Sequence, residues 1–212
     1  MRKTSKRVSE VGRSQRVRII HTLKKTQGLS VNQLSGQLGL SYMGVKQHCE
    51  ELERQGLVDT WRRPKAVGRP ELVYRLTSKA QSFFPTSSNG ATIEVLNAAK
   101  RLYGPAAPEK LLYSLFAAKA ANYLKQVRGA EVRDRADALA KARDEEGYLS
   151  ELMTDPRLVI VEYHSPILDL LEIFPLVRRL EKEMVEKVLG VPVHREEKTA
   201  SGLYECRFVI AT

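Results

Sequence analysis

Two short amphipathic segments, each preceded by a serine and separated by a glycine-containing turn, most constrain the fold of this 212-residue chain. The first is Val31–Leu38, which follows Ser30, and the second is Tyr42–Gln55, which follows Ser41. A serine before a helix accepts hydrogen bonds from its free N–H groups, so both segments are predicted to be capped helices. A short helix, a tight turn at Gly39-Leu40 and a longer helix are typical of a helix-turn-helix.

The flanking segments predict the rest of a small domain. Residues 13–27 have apolar side chains at helical spacing. The segments 57–63 and 71–76 are rich in branched and aromatic residues, which is typical of strands. A basic loop with a proline at each end, 64–70, joins them. A three-helix core followed by a hairpin with a cationic tip predicts a winged helix-turn-helix.

The second half of the chain predicts a different architecture. Helical patterns cover 91–102, 108–127 and 131–146, and the last has so narrow an apolar stripe that we expect an exposed or partner-packed helix. Two predicted hairpins, 148–163 and 191–210, enclose a helical segment, 166–189, in which Pro175 should either kink the helix or begin a new one. Hairpin, helix, hairpin implies an antiparallel sheet with its helix packed on one face, so the fold class is α+β.

Charge separates the two halves more sharply than composition does. The net charge is +10, but residues 1–88 hold 17 Lys and Arg against 6 Asp and Glu, whereas the remainder holds 18 against 19. One half therefore carries the whole positive field, which indicates a module that faces a polyanion. The predicted domains are a flexible basic arm over 1–12, a winged helix-turn-helix DNA-binding domain over 13–88, a helical linker and dimerisation region over 89–147, and an α+β effector or dimerisation domain over 148–212.

The second helix of a helix-turn-helix enters the major groove and offers its first turns to the bases. Gln47 has the amide that pairs with adenine, Lys46 reaches guanine or phosphate, and Met43 fits a thymine methyl group. His48 is a candidate phosphate contact or a half-buried helix residue. The predicted DNA-contacting residues of this helix are Ser41, Tyr42, Met43, Lys46, Gln47 and His48.

Basic residues outside that helix extend the predicted interface. Arginine and lysine in a wing grip phosphates or enter the minor groove, although a solvated cationic hairpin would have the same pattern. The candidates in the wing are Arg62, Arg63, Lys65 and Arg69, and weaker ones at the first helix are Arg13 and Arg16.

The run from LSGQLGLSYMGVKQHCEELERQGLVDTW to GRPELVYRLTSKAQSFFP resembles the winged helix of ArsR-type bacterial regulators. GRPELVYRLTSKA resembles most closely the SufR-like branch, which represses iron–sulfur assembly genes. The later segments EEGYLSEL, EYHSPILDLLEIFPLVRRLEKEM and LGVPVHREEKTASGLYECRFVI resemble the C-terminal domain of that branch. The resemblance therefore covers nearly the whole chain and implies a DNA-binding regulator.

The resemblance also implies three cysteine positions for an iron–sulfur cluster, which this sequence fills with Ser165, Arg178 and Cys206. A guanidinium has no free lone pair, and one thiol does not hold a cluster by itself. For zinc, His164, His194 and Cys206 lack any of the usual ligand spacings. The sequence therefore predicts no resident cofactor, and Cys206 is its single metal-ligand candidate.

The sequence has few features of a membrane protein, a secreted protein or an enzyme. No stretch approaches the ~20 apolar residues of a membrane span, the N-terminus has no apolar signal core, and two distant cysteines make no disulfide framework. The common catalytic and nucleotide-binding motifs are absent, so no enzyme is predicted. We therefore expect a cytoplasmic, homodimeric repressor of transcription that binds double-stranded DNA and no membrane. The alternatives are a metal- or ligand-sensing regulator with a C-terminal sensor domain, and a protein-interaction adaptor whose winged helix does not bind DNA.

Overall fold

The computed structural model describes residues 15–64, 68–84, 89–200 and 203–211. Apart from the turn at 200–203, the chain divides into two compact units with their boundary between Phe83 and Phe84. Each unit has its own buried core and is described by itself.

The first unit begins with three helices. Helix α1 covers residues 15–24, α2 is Val31–Leu38 and α3 is Tyr42–Arg54. Ser30 caps α2 in a capping box with Gln33, and the Ser41 hydroxyl accepts a hydrogen bond from the backbone N–H of Gly44 at 3.1 Å. The two serine caps therefore fix where the helices of the helix-turn-helix begin.

A two-stranded hairpin follows, with β1 at Val58–Arg63 and β2 at Glu71–Leu76. The strands are antiparallel, with Val58 opposite Leu76 and Arg63 opposite Glu71. Leu29 pairs with β2 through two backbone hydrogen bonds. Its N–H donates to the carbonyl of Tyr74 at 3.0 Å, and its carbonyl accepts from the N–H of Tyr74 at 2.8 Å. The wing is thus joined to the residue just before the α2 cap.

The core of the first unit contains one apolar stripe from each helix and the inner face of the wing. Its fully buried members include Ile19, Ile20, Leu23, Leu34, Val45, Cys49, Leu52 and Val73. A 3-10 helix, Ser78–Phe83, ends the unit. Because α3 buries only Val45, Cys49 and Leu52, its other faces are left for contacts outside the domain.

The second unit combines a helical hairpin with an α+β layer. Helices α4 (Gly90–Tyr103) and α5 (Ala107–Gln126) are joined by a three-residue connection, and α6 follows at Val132–Glu145. Further along the chain are α7 at Leu168–Ile173 and α8 at Leu176–Leu189. Helix α5 packs against α8, and α6 packs against the sheet.

The sheet of this unit has four strands in the order β3-β4-β6-β5. They are β3 (Ser150–Met153), β4 (Val159–Glu162), β5 (Val193–Ala200) and β6 (Leu203–Ile210). The two hairpins meet through the antiparallel pairing of β4 with β6, where Glu162 lies opposite Cys206.

A network of buried charges lies inside the second unit. Arg143 of α6 donates to both carboxylate oxygens of Glu162, and its Nη2 also donates to Glu181 at 2.7 Å. Arg195 of β5 donates to the other oxygen of Glu181 at 2.9 Å. The side chains of Arg143, Glu162 and Glu181 are at most 2% exposed.

The predicted fold is confirmed: an N-terminal winged helix-turn-helix is followed by helices and an antiparallel sheet, in an α+β chain. Pro175 divides the predicted helical segment into α7 and α8, which is the second of the two expected outcomes, because Pro175 lacks the N–H that would continue the helix. Helix α6 was predicted to be exposed or partner-packed, but it buries Arg143 within the core. Among the described residues, no helix is both long and apolar enough to cross a membrane.

Candidate nucleic-acid interface

The outer face of α3 is a continuous exposed surface at the start of the helix. Tyr42 and Met43 expose 47% and 69% of their surface, and Lys46 and Gln47 are exposed one turn further on. Two of these are large apolar side chains that a solvated helix would not need to present. The helix has no acidic residue in its first turn. This end of α3 is therefore suited to a polyanion, with polar and apolar groups available to base edges.

The three acidic residues of α3 are Glu50, Glu51 and Glu53, and all lie further along the helix than Lys46. Lys46 Nζ lies 3.7 Å from Glu50, and both side chains are about half exposed. Arg54 pairs with Glu51 at the far end. Exposed pairs at this spacing contribute only ~0.3–0.5 kcal/mol, so a phosphate or a guanine can displace Glu50 from Lys46.

His48 differs from its neighbours because it is half-buried. Its Nε2 lies 2.8 Å from Oε1 of Gln15 on α1. Burial, and next the charge of Arg16, lower the pKa of His48 below its ordinary value of 6.5. The imidazole is therefore neutral near pH 7 and adds no positive charge to the interface. Arg16 is itself half-buried at the start of α1.

The predicted wing arginines are of two kinds. Arg62 and Arg69 are exposed and make no ion pair with any residue that the structure describes. Arg63, in contrast, donates to Glu71 and to Gln33 of α2, both at 2.9 Å. Two of the three are thus available to phosphates, whereas Arg63 braces the wing against α2.

A shallow groove of about 220 Å³ lies between the start of α2, α3 and β2. Tyr42 and Lys46 line one side, and Asn32 and Leu72 line the others. Asn32 is exposed on the first turn of α2, and Leu72 is 48% exposed. Sequence reasoning did not select either residue, although the Ser30 cap already placed Asn32 at an exposed helix start.

Two of the predicted contacts, Arg13 and Lys65, lie outside the described residues. The predicted arm over 1–12 also lies outside them. The remaining predicted residues of the interface all belong to the first unit.

Cys206, the candidate metal ligand, is fully buried in β6. Burial, followed by the nearby charge of Glu162, raises the pKa of its thiol, and a metal ligand must be the thiolate. Ser165 is also buried, Arg178 pairs with Glu197 at 2.6 Å, and His194 is an exposed strand residue. Within the described ranges, no group of three His, Cys, Asp or Glu residues is placed to hold a metal ion.

A comparison with protein families matches residues 13–59 to the winged helix-turn-helix DNA-binding family. The matched segment contains α2, α3 and the start of the wing. The chain therefore carries a winged helix-turn-helix DNA-binding domain, and α3 is the second helix of its helix-turn-helix. No protein of curated function has detectable similarity to the whole chain.

Solved structures give a weaker comparison. The crystal structure of RV1404 from Mycobacterium tuberculosis is 19% identical over 51% of this chain and 71% of that one, with a TM-score of 0.31. A double mutant of ZitR from Lactococcus lactis in apo form is 18% identical over 57% and 90% of the two chains, with a TM-score of 0.30. Likeness at this level carries no argument about function.

Proposed function

We propose that this protein is a sequence-specific transcription regulator that binds double-stranded DNA as a homodimer through its winged helix. Helix α3 enters the major groove, and the wing contacts the neighbouring backbone. The observation that carries the proposal is the exposed start of α3, with Tyr42, Met43, Lys46 and Gln47 on one accessible face of a winged helix-turn-helix.

The division of roles follows from the side chains. Gln47 is exposed and holds an amide that can give a bidentate pair to adenine. Arg62 and Arg69 have no competing carboxylate among the described residues, so they suit phosphate contacts that position the domain. Specificity would then come from α3 and salt-dependent affinity from the wing.

The homodimer follows from how little DNA one domain reads. One recognition helix reaches only a few base pairs, and phosphate contacts alone bind weakly. Two copies of α3 placed ~34–36 Å apart would read two half-sites one helical turn apart, which predicts an operator with inverted symmetry. Repression rather than activation is supported by the resemblance to SufR-like repressors alone.

Selection of bound fragments from the organism's own genomic DNA tests the proposal. We expect enrichment of an inverted repeat, bound more tightly than scrambled DNA by about 10³-fold or more at physiological salt. The double variant Lys46→Ala/Gln47→Ala should lose ~1–3 kcal/mol per good base pair contact and most of its sequence preference.

Arg54→Ala is the matched control, because Arg54 is an exposed basic residue at the opposite end of the same helix. It should keep the sequence preference of the natural chain. If the double variant and Arg54→Ala bind the selected fragment equally well, α3 is not the reading element. An adaptor that does not bind DNA would enrich no fragment at all.

A further inference from the structure

Helix α4 presents an apolar stripe that nothing in the described chain covers. Val95 is 63% exposed and Leu102 is 74% exposed, Ala91 is exposed, and Ala98 is half-buried. The helix buries a different face, with Leu96 and Ala99 in the core. We call the four residues Ala91, Val95, Ala98 and Leu102 the α4 seam.

The spacing of the α4 seam is that of a helix-pairing surface. Its residues follow one another at intervals of four, three and four, which is the repeat by which two helices pack knobs into holes. In a helix of 14 residues, such a stripe stays on one side along the whole length. An exposed apolar stripe of this regularity marks a surface that pairs with another helix.

The order of large and small residues specifies the direction of pairing. If a second copy of α4 runs antiparallel, Leu102 meets Ala91 of the second copy and Val95 meets Ala98. Each layer then combines one large and one small side chain. In a parallel pair, leucine would meet leucine and alanine would meet alanine, which leaves layers of unequal width.

The charges beside the α4 seam favour the same direction. Glu94 and Arg101 stand seven residues apart on one flank, and neither makes an ion pair or hydrogen bond within the described residues. In the antiparallel pair, Glu94 of each copy lies beside Arg101 of the other, so two equivalent ion pairs form. In a parallel pair, both residues would face the uncharged flank that contains Thr92 and Ala99.

We infer that the α4 seam is where a second copy of this chain docks, antiparallel and related by a two-fold axis. This inference rests on the homodimer of the proposed function and adds its location and register. The seam alone is smaller than the ~1,200 Å² of a stable interface. Helix α5 supplies more exposed apolar surface, because Leu111 and Leu115 are each more than 40% exposed, and from Leu111 to Leu124 its only charged residue is Lys119.

Charge reversal tests the register in the full chain without DNA. In Glu94→Arg, both flanking pairs become Arg–Arg, and in Arg101→Glu, both become Glu–Glu. Each variant alone should dimerise about tenfold more weakly than the natural chain. An equimolar mixture of the two should recover the dimer as a heterodimer, and the double variant E94R/R101E should recover it as a homodimer. Sedimentation velocity at micromolar concentrations measures all four.

A charge placed inside the α4 seam gives a second, stronger test. Ala98→Glu should leave the chain monomeric at tens of micromolar, because the new carboxylates of both copies would be buried close to the two-fold axis. Ile173→Glu is the matched control, because Ile173 is 51% exposed on α7, outside the α4–α5 hairpin. Circular dichroism of each variant establishes that it is folded.

The inference is overturned if the natural chain is monomeric at tens of micromolar, which would leave the seam to a different protein. It is also overturned if the mixture fails to recover the dimer, or if Ala98→Glu and Ile173→Glu dimerise alike. The DNA-binding part of the proposed function fails separately, because Lys46→Ala/Gln47→Ala does not touch the α4 seam and should dimerise normally whatever it does to DNA binding.

Discussion

The two units use charged side chains in opposite ways. At the start of α3 and in the wing, Lys46, Arg62 and Arg69 are exposed and have weak partners or none among the described residues. In the second unit, the side chains of Arg143 and Arg195 are at most 7% exposed and hydrogen-bonded to carboxylates. In the first unit, the positive charge is available to a ligand. In the second unit, carboxylates within the fold neutralise it.

The difference is energetic as well as geometric. An exposed ion pair typically contributes ~0–1 kcal/mol, because water and salt screen it. Removing one partner of a buried pair costs ~3–5 kcal/mol, because the remaining charge stays in a poor solvent. We therefore expect substitutions in the second unit to affect folding, and those in the first to affect binding.

The largest effect is expected for Arg143→Met. Glu162 and Glu181 would lose a shared partner inside the core, so the free energy of unfolding should fall by ~3–5 kcal/mol. Lys141→Met on the same helix is the control, because Lys141 makes an exposed pair with Asp137. Urea denaturation of both variants measures the difference. Equal free energies of unfolding for the two variants would show that burial does not determine how much the Arg143 network contributes to stability.

Lys24→Met tests a lysine of the first unit that departs from this comparison because it is buried. Lys24 is 2% exposed, and burial lowers its pKa from 10.5 to about 8. Between these values the unfolded chain binds more protons than the folded one, so this residue makes stability rise as pH increases from about 8 to 10.5. At pH 7 this lysine is charged in both states, so the folded chain bears the free-energy cost that the lowered pKa represents.

The methionine variant should therefore be more stable than the natural chain by ~1–3 kcal/mol at pH 7. Its advantage should shrink as the pH approaches 10. Thermal or urea unfolding of both chains at pH 7 and pH 10 is the measurement, since the other groups are common to both. A difference that does not depend on pH would mean that packing, not charge, separates the two chains.

Arg62→Ala should have a smaller effect that appears only in DNA binding. Loss of one phosphate contact lowers the slope of log affinity against log salt by ~0.9, while the free energy of unfolding stays within ~0.5 kcal/mol. Fluorescence anisotropy over a salt series measures the slope. An unchanged slope would remove Arg62 from the interface.

The smallest effect is expected for Glu71→Gln, which weakens the partially exposed pair with Arg63. The cost in stability should be below ~1 kcal/mol. Because the change removes a negative charge beside the wing, binding to DNA of any sequence should strengthen by a few-fold. Weaker DNA binding would instead show that Arg63 must be held by Glu71 for the wing to be placed correctly.

The parts that sequence predicted are those set by local chemistry. The Ser30 and Ser41 caps, the turn between the helices and the exposed positions of α3 follow from residues within a few places of one another. His48 and its partner Gln15 are 33 positions apart, Arg63 and Gln33 are 30 positions apart, and periodicity has no information about such contacts. Helix α6 shows best what local sequence does not predict. A charged residue in a helical pattern is expected on the surface, yet Arg143 lies in the core, where two carboxylates distant in sequence stabilise it.

The paired backbone hydrogen bonds between Leu29 and Tyr74 connect the wing directly to the helix-turn-helix. Two elements that are joined in this way move together. If the wing binds a phosphate as proposed, these bonds would also hold α3 in place before the bases, so little conformational freedom would remain to be lost on binding.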